Sequence, residues 1–293
     1  MLMQKTRRMS KNPKEKQQET GQPEVSATNN AASNVELLTF GEHLEVLRKM
    51  LFRILVVAGV IAVVVFCLKN YTWQILMAPS QWDFYTYRWI ERMIQAMGFD
   101  FHFQPFEVEI IATDLSSQFM KHITTACYLG LLGASPYILF ELFRFISPAL
   151  YENERKYSVQ VAIIIYILFI IGVLMSYFVL FPISFRFLGT YSVSERVVNN
   201  ITLDSYITTF VSLTLVMGLV FQLPIIAFFL GKLGVINAEM LSKYRKHAFI
   251  VIMLAAAVIT PPDLMTLILV TIPLYLLFEV SIHILRKVNV PMK

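Results

Sequence analysis

The chain has 293 residues, of which 56% are hydrophobic and 15% charged, and its mean hydropathy is +0.60. A soluble domain of this size does not normally bury so much apolar surface, so the composition predicts an integral membrane protein. The formal net charge of +5 is small and spread along the chain, which gives no support for nucleic-acid binding.

Residues 1–36 are rich in Lys, Gln, Glu, Asn and Ser, which predicts a disordered, basic cytoplasmic tail without a secretory signal peptide. Residues 37–293 form the predicted membrane domain. Its two cysteines, Cys67 and Cys127, lie within apolar runs and are predicted to be buried. Because the histidines and cysteines show no ligand spacing, no metal site or cofactor is expected.

The membrane domain begins with an amphipathic pattern over Thr39–Phe52, which predicts a helix at the membrane surface. Apolar runs then predict six spans: 51–68, 123–143, 159–182, 206–230, 248–259 and 264–285. The fifth run has only 12 residues, or about 18 Å of helix, against a hydrocarbon core of about 30 Å. It therefore either re-enters the membrane or spans a locally thinned bilayer.

Orientation follows from the distribution of basic residues. If six true spans are counted with the N-terminus inside, nineteen of the 25 Lys and Arg fall on the cytoplasmic side. The positive-inside rule then places both termini in the cytoplasm and the long polar segments 69–120 and 184–205 outside. Aromatic residues in the first of these segments indicate contact with lipid headgroups, and Asp83–Met97 has the spacing of a helix there.

A short polar connection, Phe145–Lys156, joins the second and third spans and reads F-I-S-P-A-L-Y-E-N-E-R-K. Pro148 predicts a defined bend, and Glu152 and Glu154 bring two carboxylates close together in sequence. The residues alone leave two interpretations open. The connection is either a solvated loop that anchors two helix ends or a docking surface that receives a basic peptide.

Three polar residues at or near membrane depth need a reason, because such groups are costly there. Gln222 either bonds another helix or contacts a partner, and Glu279 is either protonated or faces a polar cavity. Asp263 is predicted to cap the N-terminus of the last span. No protease, hydrolase or nucleotide-binding motif is present in the sequence, so an enzyme is not expected.

Five motifs occur in order along the membrane domain: F-I-S-P-A-L-Y-E-N-E-R-K, F-V-L-F-P-I, F-Q-L-P-I, V-I-T-P-P-D and I-P-L-Y-L-L-F-E. Together they resemble the C subunit of the twin-arginine protein translocase, the TatC family. The resemblance implies an all-α fold of six membrane helices in a concave, cupped bundle with both termini cytoplasmic and the last two spans short. It also implies a non-enzymatic subunit of the bacterial cytoplasmic membrane.

Members of that family receive twin-arginine signal peptides of folded cargo, and export is driven by the proton-motive force. The partners implied are TatA/TatB-type single-span subunits, other copies of the chain and membrane lipids, with no nucleic acid. By position, Glu154 matches the carboxylate that binds the arginine pair and Phe145 the neighbouring aromatic residue, with Tyr151 and Arg155 in the same motif.

A second acidic patch is expected in H-L-E-V-L-R, where Val46 stands at the usual acidic position, Glu45 precedes it and Arg48 is in register. The polar residues assigned to partner subunits or to the membrane interior are Gln222, Thr260, Asp263 and Glu279. The prolines assigned a structural role are Pro148, Pro182, Pro261 and Pro262. The alternative is a small-solute or ion transporter with Gln222 and Glu279 lining the pathway.

Overall fold

The computed structural model describes residues 40–146, 158–194, 196, 199–260 and 263–287. Within them the chain is mostly helical. The α-helices are α1 (Phe40–Cys67), α2 (Lys69–Met77), α3 (Tyr85–Ala96), α4 (Ser117–Ile146), α5 (Ser158–Met175), α6 (Phe181–Thr190), α7 (Leu203–Val220), α8 (Leu223–Lys232), α9 (Ala238–Lys243), α10 (Arg245–Ile259) and α11 (Leu264–Lys287).

The chain divides into two units, residues 1–49 and residues 50–293, and the division falls within α1. The predicted surface helix over Thr39–Phe52 and the first span belong to this one helix. In the first unit, the described side chains from Leu44 to Lys49 are all exposed.

Five helical segments in the described residues are long and apolar enough to cross a membrane: Leu44–Cys67, Ser117–Phe145, Val159–Thr190, Leu203–Lys232 and Leu264–Lys287. The all-α membrane fold is therefore confirmed. The expectation that the last two spans are both short is wrong for α11, whose 24 residues extend about 36 Å. Only α10, with 15 residues, is short, and the sixth span and the orientation stay predictions.

Cys67 and Cys127 are exposed, which corrects the prediction that they are buried. Both lie in helices that are long and apolar enough to span, so the surface they occupy is one that lipid can cover. An apolar run in a membrane protein does not imply burial within the protein, because the bilayer is itself an apolar solvent.

The protein interior is built around α7. Its residues Tyr206, Ile207, Phe210, Leu213 and Met217 are each no more than 3% exposed. Helix α5 packs closely on it, since a Cβ at Gly172 would lie 2.5 Å from the carbonyl oxygen of Met217. Small residues permit this close approach of helix backbones. In lipid the hydrophobic effect does not drive helices together, so association depends on close packing of this kind.

The segment between the first two spans is folded against the rest of the unit. The helix predicted over Asp83–Met97 is confirmed as α3, and further along the segment β1 (Ile110–Ile111) pairs in parallel with β2 (Ile201–Thr202). Arg186 of α6 lies over the rings of Phe103, Phe106 and Tyr87, at 4.2, 4.8 and 5.3 Å from their centroids. Cation–π contacts of this kind hold the segment to α6.

Helix α3 also supplies hydrogen-bond donors to an irregular turn of the third span. A π-turn, Ser176–Leu180, joins α5 to α6, and the helix continues beyond Pro182 to Thr190. In a regular helix the carbonyl of Phe178 would accept from the amide of residue 182, which proline lacks. The hydroxyl of Thr86 donates to that carbonyl instead.

The neighbouring Tyr87 donates its phenol hydrogen to the carbonyl of Pro182 at 2.8 Å. Burial raises the pKa of Tyr87, and this effect is larger than the lowering of the pKa by the charge of Arg186. The phenol therefore stays protonated and remains a donor. Two consecutive residues of α3 therefore satisfy two carbonyls at the turn around Pro182.

We expect Thr86→Val to destabilise the protein by about 1–3 kcal/mol, because it removes the donor to a partly buried carbonyl while conserving shape. Thr86→Ser keeps the hydroxyl and should remain close to wild type. Thermal unfolding in detergent, followed by tryptophan fluorescence, tests this directly, since all three tryptophans of the chain lie within residues 73–89. Equal midpoints for the Val and Ser variants would contradict the assignment.

Candidate functional site

Several residues assigned from the sequence lie outside the described residues. They are Pro148, Tyr151, Glu154, Arg155, Pro261 and Pro262. Their assignments stay predictions. The described residues that border the Phe145–Lys156 connection are the last turn of α4 and the first turn of α5.

Phe145 is half-buried in the last turn of α4. One turn earlier, Glu141 is 7% exposed, which makes it the most buried carboxylate among the described residues. It accepts a hydrogen bond from the hydroxyl of Tyr137 at 3.2 Å and lies 3.7 Å from the guanidinium of Arg53 on α1. The aromatic residue of the predicted signal-peptide site thus follows a buried carboxylate that is paired across two helices.

A second group with the same composition joins α10 and α11. Arg245 contacts both carboxylate oxygens of Glu279 at 2.9 Å, and the Tyr275 hydroxyl donates to the same carboxylate at 3.2 Å. The contact from Nη2 to Oε2 is a hydrogen bond, and the contact from Nε to Oε1 is an ion pair. Glu279 is therefore ion-paired with Arg245 between α10 and α11, and its role in the membrane interior or toward a partner subunit stays a prediction.

Sequence reasoning missed Glu141 as a membrane-depth acid and missed Arg245 as a partner. A signal for both groups was present, because P-Y-I-L-F-E and P-L-Y-L-L-F-E each place a tyrosine four residues before a glutamate. Residues four apart share a helix face, so the tyrosine can reach the carboxylate. The arginines come from other helices and carry no such local signal.

Gln222 is 9% exposed at the break between α7 and α8. Its backbone amide bonds the carbonyl of Leu219, three residues earlier, and its side-chain amide donates to the carbonyl of Gly218 at 3.4 Å. The same side chain donates to the carbonyl of Ile165 on α5 at 3.2 Å. This geometry favours the helix-bonding interpretation of Gln222, and a role toward a partner subunit stays a prediction.

The two polar residues near the start of α11 have local partners. Asp263 accepts from the backbone amide of Thr266 at 2.7 Å, which confirms the predicted N-cap. Thr260 is buried and donates its hydroxyl to the carbonyl of Ala256 at 2.9 Å within α10. The backbone geometry of these helix ends accounts for both contacts.

In the first unit, Glu45 and Lys49 form an ion pair of 2.7 Å between side chains that are 61% and 64% exposed. An exposed pair one helical turn apart contributes little to stability, and either charge can exchange partners readily. Arg48 is exposed beside them. Among the described residues of the whole chain, no three His, Cys, Asp or Glu side chains are close enough to hold a metal ion.

These observations define a multi-pass helical membrane protein in which charged groups are paired between helices. Comparison with known families identifies it further. The model of the Sec-independent protein translocase protein TatC matches residues 42–273, which is well over half of the chain. The chain belongs to the TatC family and is a core subunit of the twin-arginine translocase.

Individual relatives agree with that assignment. A TatC protein of Blattabacterium (subsp. Periplaneta americana) is 36% identical, over 84% of this chain and 94% of the relative. A TatC protein of Desulforapulum autotrophicum is 32% identical, over 83% of this chain and 82% of the relative. A crystal structure of the twin arginine translocase receptor TatC is 29% identical, with a TM-score of 0.67, over 84% of this chain and 98% of that one.

The comparisons favour the translocase over the transporter alternative. They also make the chain a transport component of a multi-subunit system. The two residues that the transporter hypothesis placed along a pathway both have partners within the protein. Gln222 bonds the carbonyl of Ile165 on α5, and Glu279 pairs with Arg245 on α10.

The pair of Arg53 and Glu141 should respond asymmetrically to substitution. Arg53→Gln leaves the carboxylate of Glu141, whose side chain is 9% exposed, without its cation. We expect this substitution to lower the free energy of unfolding by about 1–3 kcal/mol. Glu141→Gln leaves only the 54% exposed arginine unpaired, so its cost should be smaller, and the double variant should recover most of the loss.

Asp83→Asn supplies the matched control, because the Asp83–Arg88 pair is exposed on both sides and should contribute little. All variants are compared by thermal unfolding in the same detergent. Additive losses in the double variant would show that the two side chains do not interact.

Proposed function

We propose that this chain is the signal-peptide receptor of the translocase and binds the arginine pair through Glu154, with Phe145 beside it. The observation that carries the proposal is the family match across residues 42–273, which includes the whole F-I-S-P-A-L-Y-E-N-E-R-K segment. The chain lies in the bacterial cytoplasmic membrane with both termini and this segment in the cytoplasm, as the distribution of basic residues predicts.

The chemistry of the segment suits the proposed ligand. A guanidinium pairs with a carboxylate through two parallel hydrogen bonds, and the pair is stronger next to low-dielectric lipid than in bulk water. Glu141, nearby on α4, already has Arg53 and Tyr137 as partners. The carboxylate proposed to meet the peptide is therefore that of Glu154 in the connection, and Tyr151 and Arg155 are proposed to contribute to the same site.

The H-L-E-V-L-R segment is proposed as a second, separate contact for the peptide. Glu45 is proposed to take the role of the acid that the family usually has at the position of Val46, which requires the helix to turn by about 100°, and Arg48 is in register with the family pattern. The exposed pair that Glu45 makes with Lys49 costs little to exchange, so a guanidinium of the peptide can take the place of the lysine.

TatA/TatB-type single-span subunits and other copies of the chain are the proposed protein partners. The proposed contacts are the polar residues Gln222, Thr260, Asp263 and Glu279. Export of the folded cargo then uses the proton-motive force, and the chain itself performs no enzymatic step and holds no cofactor.

Cross-linking of a twin-arginine signal peptide to the protein in membranes tests the receptor site. We expect Glu154→Gln and Glu154→Ala to weaken capture by about ten- to a hundredfold, which corresponds to the loss of one charge-assisted contact of about 1.5–3 kcal/mol. Glu152→Gln, two residues away, is the matched control for general loss of charge. A peptide with Lys-Lys in place of Arg-Arg tests whether planar pairing is required.

Capture that depends on Glu154 and on the arginine pair, but only weakly on Glu152, supports the proposal. Equal capture by wild type and both Glu154 variants would move the acidic contact elsewhere, with Glu45→Gln as the next variant. Failure of the wild type to capture the peptide, with the single-span partners present, would overturn the receptor assignment.

A further inference from the structure

Helix α3 has an apolar face that the other described residues leave uncovered. Tyr85, Trp89, Met93 and Met97 recur every four residues, and they are 65%, 52%, 47% and 65% exposed. Residues four apart lie on one side of a helix, so these four form a continuous stripe along α3 and the residue after it. The stripe does not belong to the site proposed for signal peptides.

The other side of α3 is fixed to the protein. Thr86 and Tyr87 are buried and bond the carbonyls of Phe178 and Pro182, while the ring of Phe84 stacks on that of Phe178 at 5.9 Å. The orientation of the helix about its own axis is therefore set by these contacts. Tyr85, at the start of the stripe, also packs its ring edge-on against that of Phe178, with centroids 6.5 Å apart, whereas Trp89 and Met93 remain exposed beyond it.

The depth of α3 along the membrane follows from where it is attached. The third spanning segment begins at Val159, so Phe178 lies about 28 Å along it at 1.5 Å per residue. A hydrocarbon core is about 30 Å thick, which puts Phe178 and the helix docked on it at the far membrane surface from Val159. Tryptophan and tyrosine are enriched at this level in membrane proteins.

Two cations border the stripe. Arg88 and Arg92 are both exposed, one residue before Trp89 and one before Met93. Arg88 contacts Asp83 at 2.9 Å, but both side chains are exposed, so the guanidinium keeps donors for another anion. A helix with aromatic and methionine side chains on one face and arginines along its edge is typical of helices that lie in the plane of a membrane surface.

We propose that α3 lies in the headgroup region of the membrane surface far from Val159 and binds anionic glycerophospholipids. Tyr85, Trp89 and Met93 enter the boundary of the acyl chains, and Arg88 and Arg92 pair with lipid phosphates. On the predicted orientation this surface is the outer leaflet. Lys69, which begins α2 directly after the first span, adds a cation at the same level.

Depth-dependent fluorescence quenching tests the placement of the stripe. Trp73→Phe and Trp82→Phe leave Trp89 as the single tryptophan of the full chain. The protein is reconstituted in vesicles of phosphatidylcholine and phosphatidylglycerol with bromines at shallow or deep acyl positions. We expect Trp89 to be quenched more by shallow bromines than by deep ones.

The control is a tryptophan on a different side of the same helix, Gln95→Trp in a chain without the other three. Gln95 is exposed but lies about 120° from Trp89 around the helix, so bromines should quench it little. If brominated lipid fails to quench Trp89, the proposal is overturned. Iodide quenching would then indicate a face in water, and its absence would indicate a face covered by protein.

Lipid selectivity tests the arginines separately. With bromines placed on only one lipid at equal mole fraction, brominated phosphatidylglycerol should quench Trp89 several-fold more than brominated phosphatidylcholine. Arg88→Gln combined with Arg92→Gln should abolish that difference while keeping the quenching itself. Equal quenching by the two lipids in the protein with both arginines would overturn anionic-lipid binding.

Discussion

Backbone carbonyls within an apolar environment need donors, and prolines in membrane helices remove the donors that the helix would supply. This constraint organises much of the second unit. The carbonyl of Phe178, whose regular donor would be the amide that Pro182 lacks, accepts from the hydroxyl of Thr86. At the break between α7 and α8, the backbone amide of Gln222 bonds Leu219, and its side chain donates to the carbonyl of Gly218 instead and to that of Ile165 on α5. The packing of α3 on the third span and of α7 on α5 both include these side-chain hydrogen bonds.

Carboxylates divide into two groups by their partners. Glu141 and Glu279 are each held by an arginine from another helix and a tyrosine from the same one, so their charge is compensated within the protein. Such pairs fix the positions of helices but are poor receptors for a further cation, because a new partner must displace an existing one. Acids with a receptor role are therefore expected outside the helix interfaces, in the connection that contains Glu154.

The sequence predicted features that depend on local pattern. Apolar runs identified the five long spans, helical spacing identified α3, and an acid after two prolines identified the cap at Asp263. Contacts between distant segments could not be predicted in this way. The partner of Glu279 lies 34 residues away, and the exposure of Cys67 depends on which side of its helix faces the protein.

The hydrogen bonds of α3 also impose an order on biosynthesis. Thr86 and Tyr87 precede the carbonyls they bond by 92 and 95 residues. During synthesis from the N-terminus, α3 is therefore made well before its docking surface exists, and only formation of the third span completes its attachment. On the proposed lipid contact, α3 binds the membrane surface during this interval. The membrane then fixes the position of the helix until the third span is present.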